Sequence, residues 1–369
     1  MKWNLLILLS CTCVSVFTLH LRYAPNEINK AIKDKTPTSH LIKKLTLAKN
    51  YTDFVNALKK GFEATDNDNS FLNSLRAEFA KGSGKQKLVC EYETINVKDL
   101  VSTQSQIALS GSLEWIFSSK GKYTDYFGDS VTPGGRIVTY NHRYVIDGHH
   151  RWSQTYMLNP DAKINTVDCH DVPEDGDRPL ATLRKFQAAV SAIVGCVPSS
   201  EVKDDNVYDM EPEKIKENLE KFISNSINKD SSQSVTNRII ADINKKKGNV
   251  IHQGEKKKTE LIDYLMKNVQ NFKSNSLRLP KAGPREEMPQ TDSPTKTEKK
   301  ENGKYVIHKF NNERPENIPL DLKDNNVIHG SDNQIMAVIN LMNNTEISLG
   351  FDINDELPEK YKQHTPKNN

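Results

Sequence analysis

From Ser39 to about Ala80, apolar residues recur at three- and four-residue steps: Leu41, Leu45 and Ala48, then Phe54, Leu58 and Phe62, then Phe71, Leu75 and Phe79. That spacing predicts a helical lead-in over 39–80, with Thr65-Asp66-Asn67-Asp68-Asn69-Ser70 as a turn between two of its helices. The turn has neither the glycine nor the closing glutamate of a calcium loop. After the flexible break Lys81-Gly82-Ser83-Gly84-Lys85 the period changes, and Leu88 to Val97 reads as a strand. Leu109 to Phe117 reads as a helix and Thr132-Pro133-Gly134-Gly135 as a turn. Arg136 to Tyr140 and His142 to Ile146 read as two strands about Asn141. A helix through Leu158, a strand near Lys163 to Cys169 and a helix from Leu180 to Val194, striped by Leu183, Phe186, Val190 and Ile193, complete the pattern. Strands interleaved with helices predict an α/β domain over 88–195.

Beyond Pro198 three amphipathic stretches follow, Ile215/Leu219/Phe222/Ile223, Val235/Ile239/Ile240/Ile243 and Leu261/Leu265/Val269/Phe272, predicting a helical appendage over 210–273. From 279 to 369 the chain is mostly of a composition that predicts a disordered tail. Pro280, Pro284, Pro289, Pro294, Pro315 and Pro319 stand among Lys, Glu and Asn, too little apolar surface to offset chain entropy. A short helix is predicted at Gln334 to Met342, docked or loose.

The chemistry concentrates where the second central strand ends, at Asp147-Gly148-His149-His150-Arg151 opening a helix. Gly148 permits a tight turn and close backbone approach, and the first amides and dipole of the new helix favour an anion. Arg151 can grip phosphate oxygens in a fork, while His149 and His150 donate hydrogen bonds or position a proton. Asp147 beside such phosphates needs a neutralising partner, a histidine or a divalent cation, which makes it the candidate metal ligand and Mg²⁺ the candidate ion. The bland alternatives are a capping carboxylate at Asp147 and a structural role for one of the two histidines.

This strand-Asp-Gly-His-His-Arg-helix sequence resembles the phosphate-binding turn of the ParB/sulfiredoxin superfamily, which reads Gly-Glu-Arg-Arg in partition proteins and Gly-Cys-His-Arg in sulfiredoxins. Upstream, Ile95-Asn96-Val97-Lys98-Asp99-Leu100-Val101-Ser102-Thr103-Gln104 resembles the family's opening strand and glutamine-bearing segment, with Gln104 at the glutamine position and the usual proline absent. The resemblance spans about Leu88 to Val172. It implies a small mixed-sheet domain that binds a nucleoside triphosphate or diphosphate (ATP, ADP or CTP) with Mg²⁺. Gly148, His149, His150, Arg151 and Gln104 would lie on the phosphates, and Asp147, His149 and His150 would be the catalytic candidates. Sulfiredoxin chemistry is disfavoured, because His149 stands where the reactive cysteine belongs and without a thiolate there is no such attack. The His-His-Arg form is most similar to the kinase-like branch, implying phosphoryl transfer or nucleotide hydrolysis. The alternative is a nucleotide-gated module that binds DNA or a protein through the C-terminal helices, or a ParB-like nuclease, for which no two-metal carboxylate cluster is visible.

Composition adds limits. Only 36% of the 369 residues are hydrophobic, so one real core is expected, and a net charge of +3 marks neither a nucleic-acid nor a membrane-surface binder. Lys245-Lys246-Lys247 and Lys256-Lys257-Lys258 invite a helix-turn-helix reading, but the loop between them is too long for that motif's turn. The cysteines, Cys11, Cys13, Cys90, Cys169 and Cys196, show no framework spacing, so reduced thiols are the expectation. Cys169-His170-Asp171 with His149 and His150 lacks the spacing of a standard metal site. Trp3 to Leu21 carries no charge, so residues 1–22 read as a signal peptide or a membrane anchor. The heavier positive charge behind the segment (Arg22, Lys30, Lys33, Lys35) favours a cytoplasmic-facing remainder if it spans.

Overall fold

The structure is a computed structural model that describes residues 38–65, 70–80, 87–117, 126–172, 179–194, 197, 205–227, 230–252, 254, 256–275, 282–289, 296–301, 304–309 and positions 335, 338, 339, 341 and 342. The apolar segment Trp3 to Leu21 and the turn residues Asp66 to Asn69 lie outside them. No helix among the described residues is long and apolar enough to cross a membrane.

The chain is α/β, built on a five-stranded mixed sheet of order β1-β5-β3-β4-β2. Its strands are β1 (Lys87–Asn96), β2 (Val101–Ser102), β3 (Ile137–Tyr140), β4 (Tyr144–Asp147) and β5 (Lys163–Val172). β5 runs antiparallel to β1 and parallel to β3, and β4 runs antiparallel to β3 and parallel to β2. Alternation along the strands divides the apolar residues between two layers, as the pleat requires. Val138, Tyr140, Tyr144, Ile146, Val167 and Cys169 join one hydrophobic core, while Ile137, Val145 and Ile164 join the other.

The first core is covered by the lead-in helices α1 (Thr38–Thr46), α2 (Tyr51–Ala64) and α3 (Ser70–Ala80), and by α6 (Pro179–Val194), with Leu183, Phe186 and Val190 buried. The second contains α4 (Leu109–Phe117), α5 (His149–Leu158), α7 (Pro212–Ile227), α8 (Asp230–Lys247) and α9 (Lys257–Asn275). The three last helices form where the amphipathic spacing predicts them, and α9 packs directly on α5. The Phe272 ring lies tilted at 5.1 Å from Trp152 and edge-to-face at 5.5 Å from Tyr156, and Tyr264 Oη and Asn268 Nδ2 donate to the Leu158 and Met157 carbonyls at 2.7 Å each. Between α8 and α9, Asn244 brackets Ile251 with two hydrogen bonds, closing a loop that runs from Gly248 to Lys256.

Part of the proline-rich stretch is ordered. Residues 282–289 pack as a strap with Glu287 and Met288 buried, Lys296–Glu301 pairs antiparallel with Lys304–Lys309 as β6 and β7, and Ile335, Val338, Ile339, Leu341 and Met342 are buried in the first core. The described positions of the predicted short helix, 335, 338, 339, 341 and 342, are helical and lie in that core.

The expectation of reduced thiols is corrected in one place. The β1–β5 register sets Cys90 directly opposite Cys169, and the two form a disulfide across 79 residues of sequence.

Candidate functional site

β3 and β4 are joined by three residues, Asn141 to Arg143, in a turn closed by the Arg143 amide on the Tyr140 carbonyl at 3.2 Å, where Asn141 and His142 both have positive φ, 51° and 54°. Such a turn matches the natural twist of a hairpin, and asparagine tolerates it. Asp168, on neighbouring β5 and 1% exposed, secures it. Its carboxylate accepts from Thr139 Oγ1 at 2.6 Å, from the His142 amide at 3.0 Å, and lies 3.1 Å from His142 Nδ1. Burial raises the Asp168 pKa, opposed by Thr139 and His142. Asp168 carries no motif signal. Only the parallel pairing of β5 with β3 brings it to the turn.

The hairpin delivers Asp147 to the end of β4, and Gly148 turns the chain into α5 with φ 92° and ψ 26°. Glycine is required there twice over. The left-handed conformation disfavours a side chain, and a Cβ would sit 2.5 Å from Ile137 Cγ2 and 2.9 Å from its Cβ. Helical bonding starts with the Trp152 amide on the Gly148 carbonyl at 2.9 Å, so the amides of the first turn face out of the helix. Trp152, fully buried, donates from Nε1 to the Val97 carbonyl at 3.0 Å and fixes the helix on the sheet.

The candidate residues meet at this junction, with partners that sharpen their roles. Arg151 Nη2 donates to Asp147 Oδ2 at 2.9 Å and Nη1 to the Arg136 carbonyl at 2.9 Å. The neutralising partner of Asp147 is therefore Arg151, and the electrostatic reason for placing a divalent cation on Asp147 falls away. Among the described residues no group of three or more His, Cys, Asp or Glu could hold a metal ion, and Cys169 is committed to its disulfide. The donor set does not fit a protein-built Mg²⁺ site.

His149 and His150 diverge. His149 is buried, its Nε2 3.3 Å from Thr103 Oγ1, which itself donates to the Val145 carbonyl at 2.5 Å. The single hydroxyl hydrogen of Thr103 is used on Val145, which leaves Nε2 as the donor towards Thr103. Burial, foremost, and then the charges of Arg285, His150 and Arg151 hold the His149 pKa well below the ordinary histidine range, opposed by the Val145 carbonyl. His150 turns towards α4, where a Cβ on Gly111 would lie 3.2 Å from its Nε2. Gln104 is buried beside Thr103, but its side-chain amide donates to the Gln106 carbonyl, which makes it a shaper of the loop after β2.

Burial of a neutral histidine has a measurable consequence. The unfolded chain takes up a proton at His149 as pH falls below about 6.5, while the folded chain resists it, so stability is full above that pH and is lost as pH falls towards the depressed folded value. Urea unfolding between pH 8 and 5 should give a wild-type stability that declines below pH ~6.5, at up to ~1.4 kcal/mol per pH unit from this group. His149→Gln should decline less steeply, and parallel curves would show that His149 takes no part.

Two residues near the turn were missed by motif reasoning. Trp115 is 68% exposed on α4, one helical turn beyond Gly111 on the same side. Arg285 arrives from the strap, its charge felt at His149. Comparison with protein-family models, curated proteins and solved structures finds no match for this chain.

Proposed function

We propose that this chain is a nucleotide-phosphate-binding protein of ParB/sulfiredoxin-like character, with the β4–α5 junction as its phosphate site. The observation that carries the reading is the left-handed Gly148, with no room for a Cβ, which sets the open amides of α5 together with His149, His150 and Arg151 at the carboxyl end of β4. β2 runs parallel to β4 and ends beside it, so Thr103 and Gln104 form one wall. The carboxyl ends of neighbouring parallel strands, with a helix starting there, are where α/β sheets place phosphates. Exposed Trp115 offers an aromatic face for a base.

In the phosphoryl-transfer or hydrolysis form of the reading, an arriving phosphate competes with Asp147 for Arg151. A guanidinium that moves onto the phosphate releases the Asp147 carboxylate as a proton acceptor beside it. A second reading, a nucleotide-gated binding module without fast chemistry, is favoured by a specific observation: Asp147 is held by Arg151 and His149 is buried, so neither stands as an open base. The partner, DNA or protein, would then meet the C-terminal helices.

Calorimetry with ATP, ADP, CTP and inorganic triphosphate tests the shared site. The wild type should bind at least one of the nucleotides, and Arg151→Ala should weaken it about tenfold or more, the worth of one charge-assisted pair. A wild type that binds none of them defeats both readings. Phosphate release on incubation separates them: turnover abolished by Asp147→Asn supports chemistry, and binding without turnover supports the module.

A further inference from the structure

The lysine triplets Lys245-Lys246-Lys247 and Lys256-Lys257-Lys258 close α8 and open α9, and the loop between them is pinned. Asn244 Nδ2 donates to the Ile251 carbonyl at 2.6 Å, and its Oδ1 accepts the Ile251 amide at 2.8 Å. The Gly248 and Asn249 amides turn back to the Asn244 carbonyl at 2.9 and 3.0 Å, with positive φ at both residues, 81° and 56°. Ile251 is thereby drawn into the second core. Its neighbour Val250 is turned out, 43% exposed, the one large apolar side chain so placed among the described residues of α7 to α9 and their loops. Lys257 Nζ donates to Asn237 Oδ1 and ties the start of α9 to α8, while Lys245, Lys246, Lys256 and Lys258 are exposed.

Lysines at the end of α8 suit the negative pole of that helix. The second triplet has the opposite setting. The Glu260 amide bonds the Lys256 carbonyl at 3.0 Å, so Lys256 takes the N-cap place and Lys257 and Lys258 the first turn. There the helix dipole favours acids, and a cap normally supplies an oxygen that lysine lacks. Acids close by do not offset six lysines. Asp161 is shared between Lys247 at 2.6 Å and Lys98 at 3.8 Å, Glu260 is engaged by His252 Nδ1 at 3.0 Å, Asp242 feels the charge of Lys245, and the loop sequence adds Glu255. The whole chain carries a net charge of +3, so this excess is local. We propose that the lysine-flanked loop docks on the surface of an anionic lipid bilayer, with Val250 entering between headgroups and the lysines at the level of the phosphates. An apolar tip between cations fits a bilayer, where the long lysine stems reach polar headgroups while the valine is buried. A nucleic acid is the poorer fit, because residues 244–260 contain no arginine to fork onto phosphates and no Phe, Tyr or Trp to stack on bases.

Cosedimentation of the full chain with vesicles of phosphatidylcholine, alone or with about a third phosphatidylserine, tests the proposal. The wild type should bind the phosphatidylserine vesicles more tightly, by a margin that shrinks as salt rises. Lys256→Gln combined with Lys258→Gln should weaken that binding about 30-fold, roughly fivefold per charge, whereas Lys256→Arg with Lys258→Arg should retain it. The glutamine variant should melt at the same temperature as the wild type or slightly higher, because it relieves the positive pole of α9. Val250→Ser should weaken binding severalfold and leave its dependence on salt unchanged. No gain in binding from phosphatidylserine overturns the proposal, as does a gain that survives loss of both lysines. Weakened binding in a glutamine variant that has also lost thermal stability overturns it too, since the lysines would then act by structure. Capture of a short DNA duplex through the same lysines, with no gain from phosphatidylserine, overturns it in favour of a nucleic-acid partner.

Discussion

Gly148→Ala is expected to lower the unfolding free energy by about 2–5 kcal/mol and to abolish the anion binding proposed for the β4–α5 junction. Two costs add. A residue with a Cβ held at φ 92° is strained by about 1–2 kcal/mol, and the new methyl meets Ile137 at 2.5 Å on a strand where both neighbours are packed, an overpacking cost of about 1–3 kcal/mol. Ile137 cannot retreat, because it is fully buried in the second core with Val145 and Trp152. The same methyl would lie 3.1 Å from Arg151 Nε, so it presses on the side chain that ties α5 to Asp147 and to the Arg136 carbonyl. A melting temperature lower by roughly 4–20 °C follows from the usual proportionality for domains of about 150–250 residues. The double-mutant cycle with Ile137→Ala separates the two costs. Removing Cγ2 relieves the clash and leaves the strain, so Gly148→Ala should cost about 1–2 kcal/mol less in that background. Equal cost in both backgrounds would show that the contact with Ile137 is not what excludes a side chain.

That pairing of a glycine with a distant isoleucine illustrates what the sequence makes legible. The local chemistry was readable: α4 spans Leu109–Phe117 as its apolar spacing predicts, and the run from Arg136 through Asn141 to Asp147 folds as a hairpin because asparagine accepts the left-handed turn. The glycine after Asp147 announces the turn into α5 for the same reason. Each of these depends on residues within a few positions of one another. What remained hidden depends on pairing between distant segments. Asp168 has no neighbour in sequence to mark it, and only the β3–β5 register brings it beneath His142. Arg285 sits in a stretch whose proline and lysine content reads as disorder, and it is ordered by Tyr51, Thr52 and Ser105, all far earlier in the chain. Asp147 lies between these cases. The expectation that its charge needs a partner is met within the motif itself by Arg151, four residues on. Residues read locally for a ligand also satisfy one another, and a helix places positions four apart on one side.

Reduction of the Cys90–Cys169 disulfide is expected to lower stability by about 2–4 kcal/mol, through the unfolded state. The bridge closes a loop of 79 residues that contains β2, α4, β3, β4 and α5, so in the unfolded chain it restrains nearly the whole candidate site. Loop-closure entropy for that length is about 4–5 kcal/mol, an upper figure because unfolded chains retain some compactness. The folded side loses less. β1 is an edge strand, but ten consecutive residues pair it with β5, and that ladder persists when the sulfurs part. The reduced protein should therefore keep its fold and its spectroscopic signature at 25 °C while its urea midpoint falls, and Cys90→Ala should reproduce the shift without further response to reductant. Alkylation under denaturing conditions gives the direct count. The bridge uses two cysteines, so reduction should expose two more reactive thiols than the untreated protein shows. No gain on reduction would remove the bridge. A gain that is lost in Cys90→Ala would assign it to this pair, a cross-strand disulfide of the kind that persists where thiols are not continually reduced.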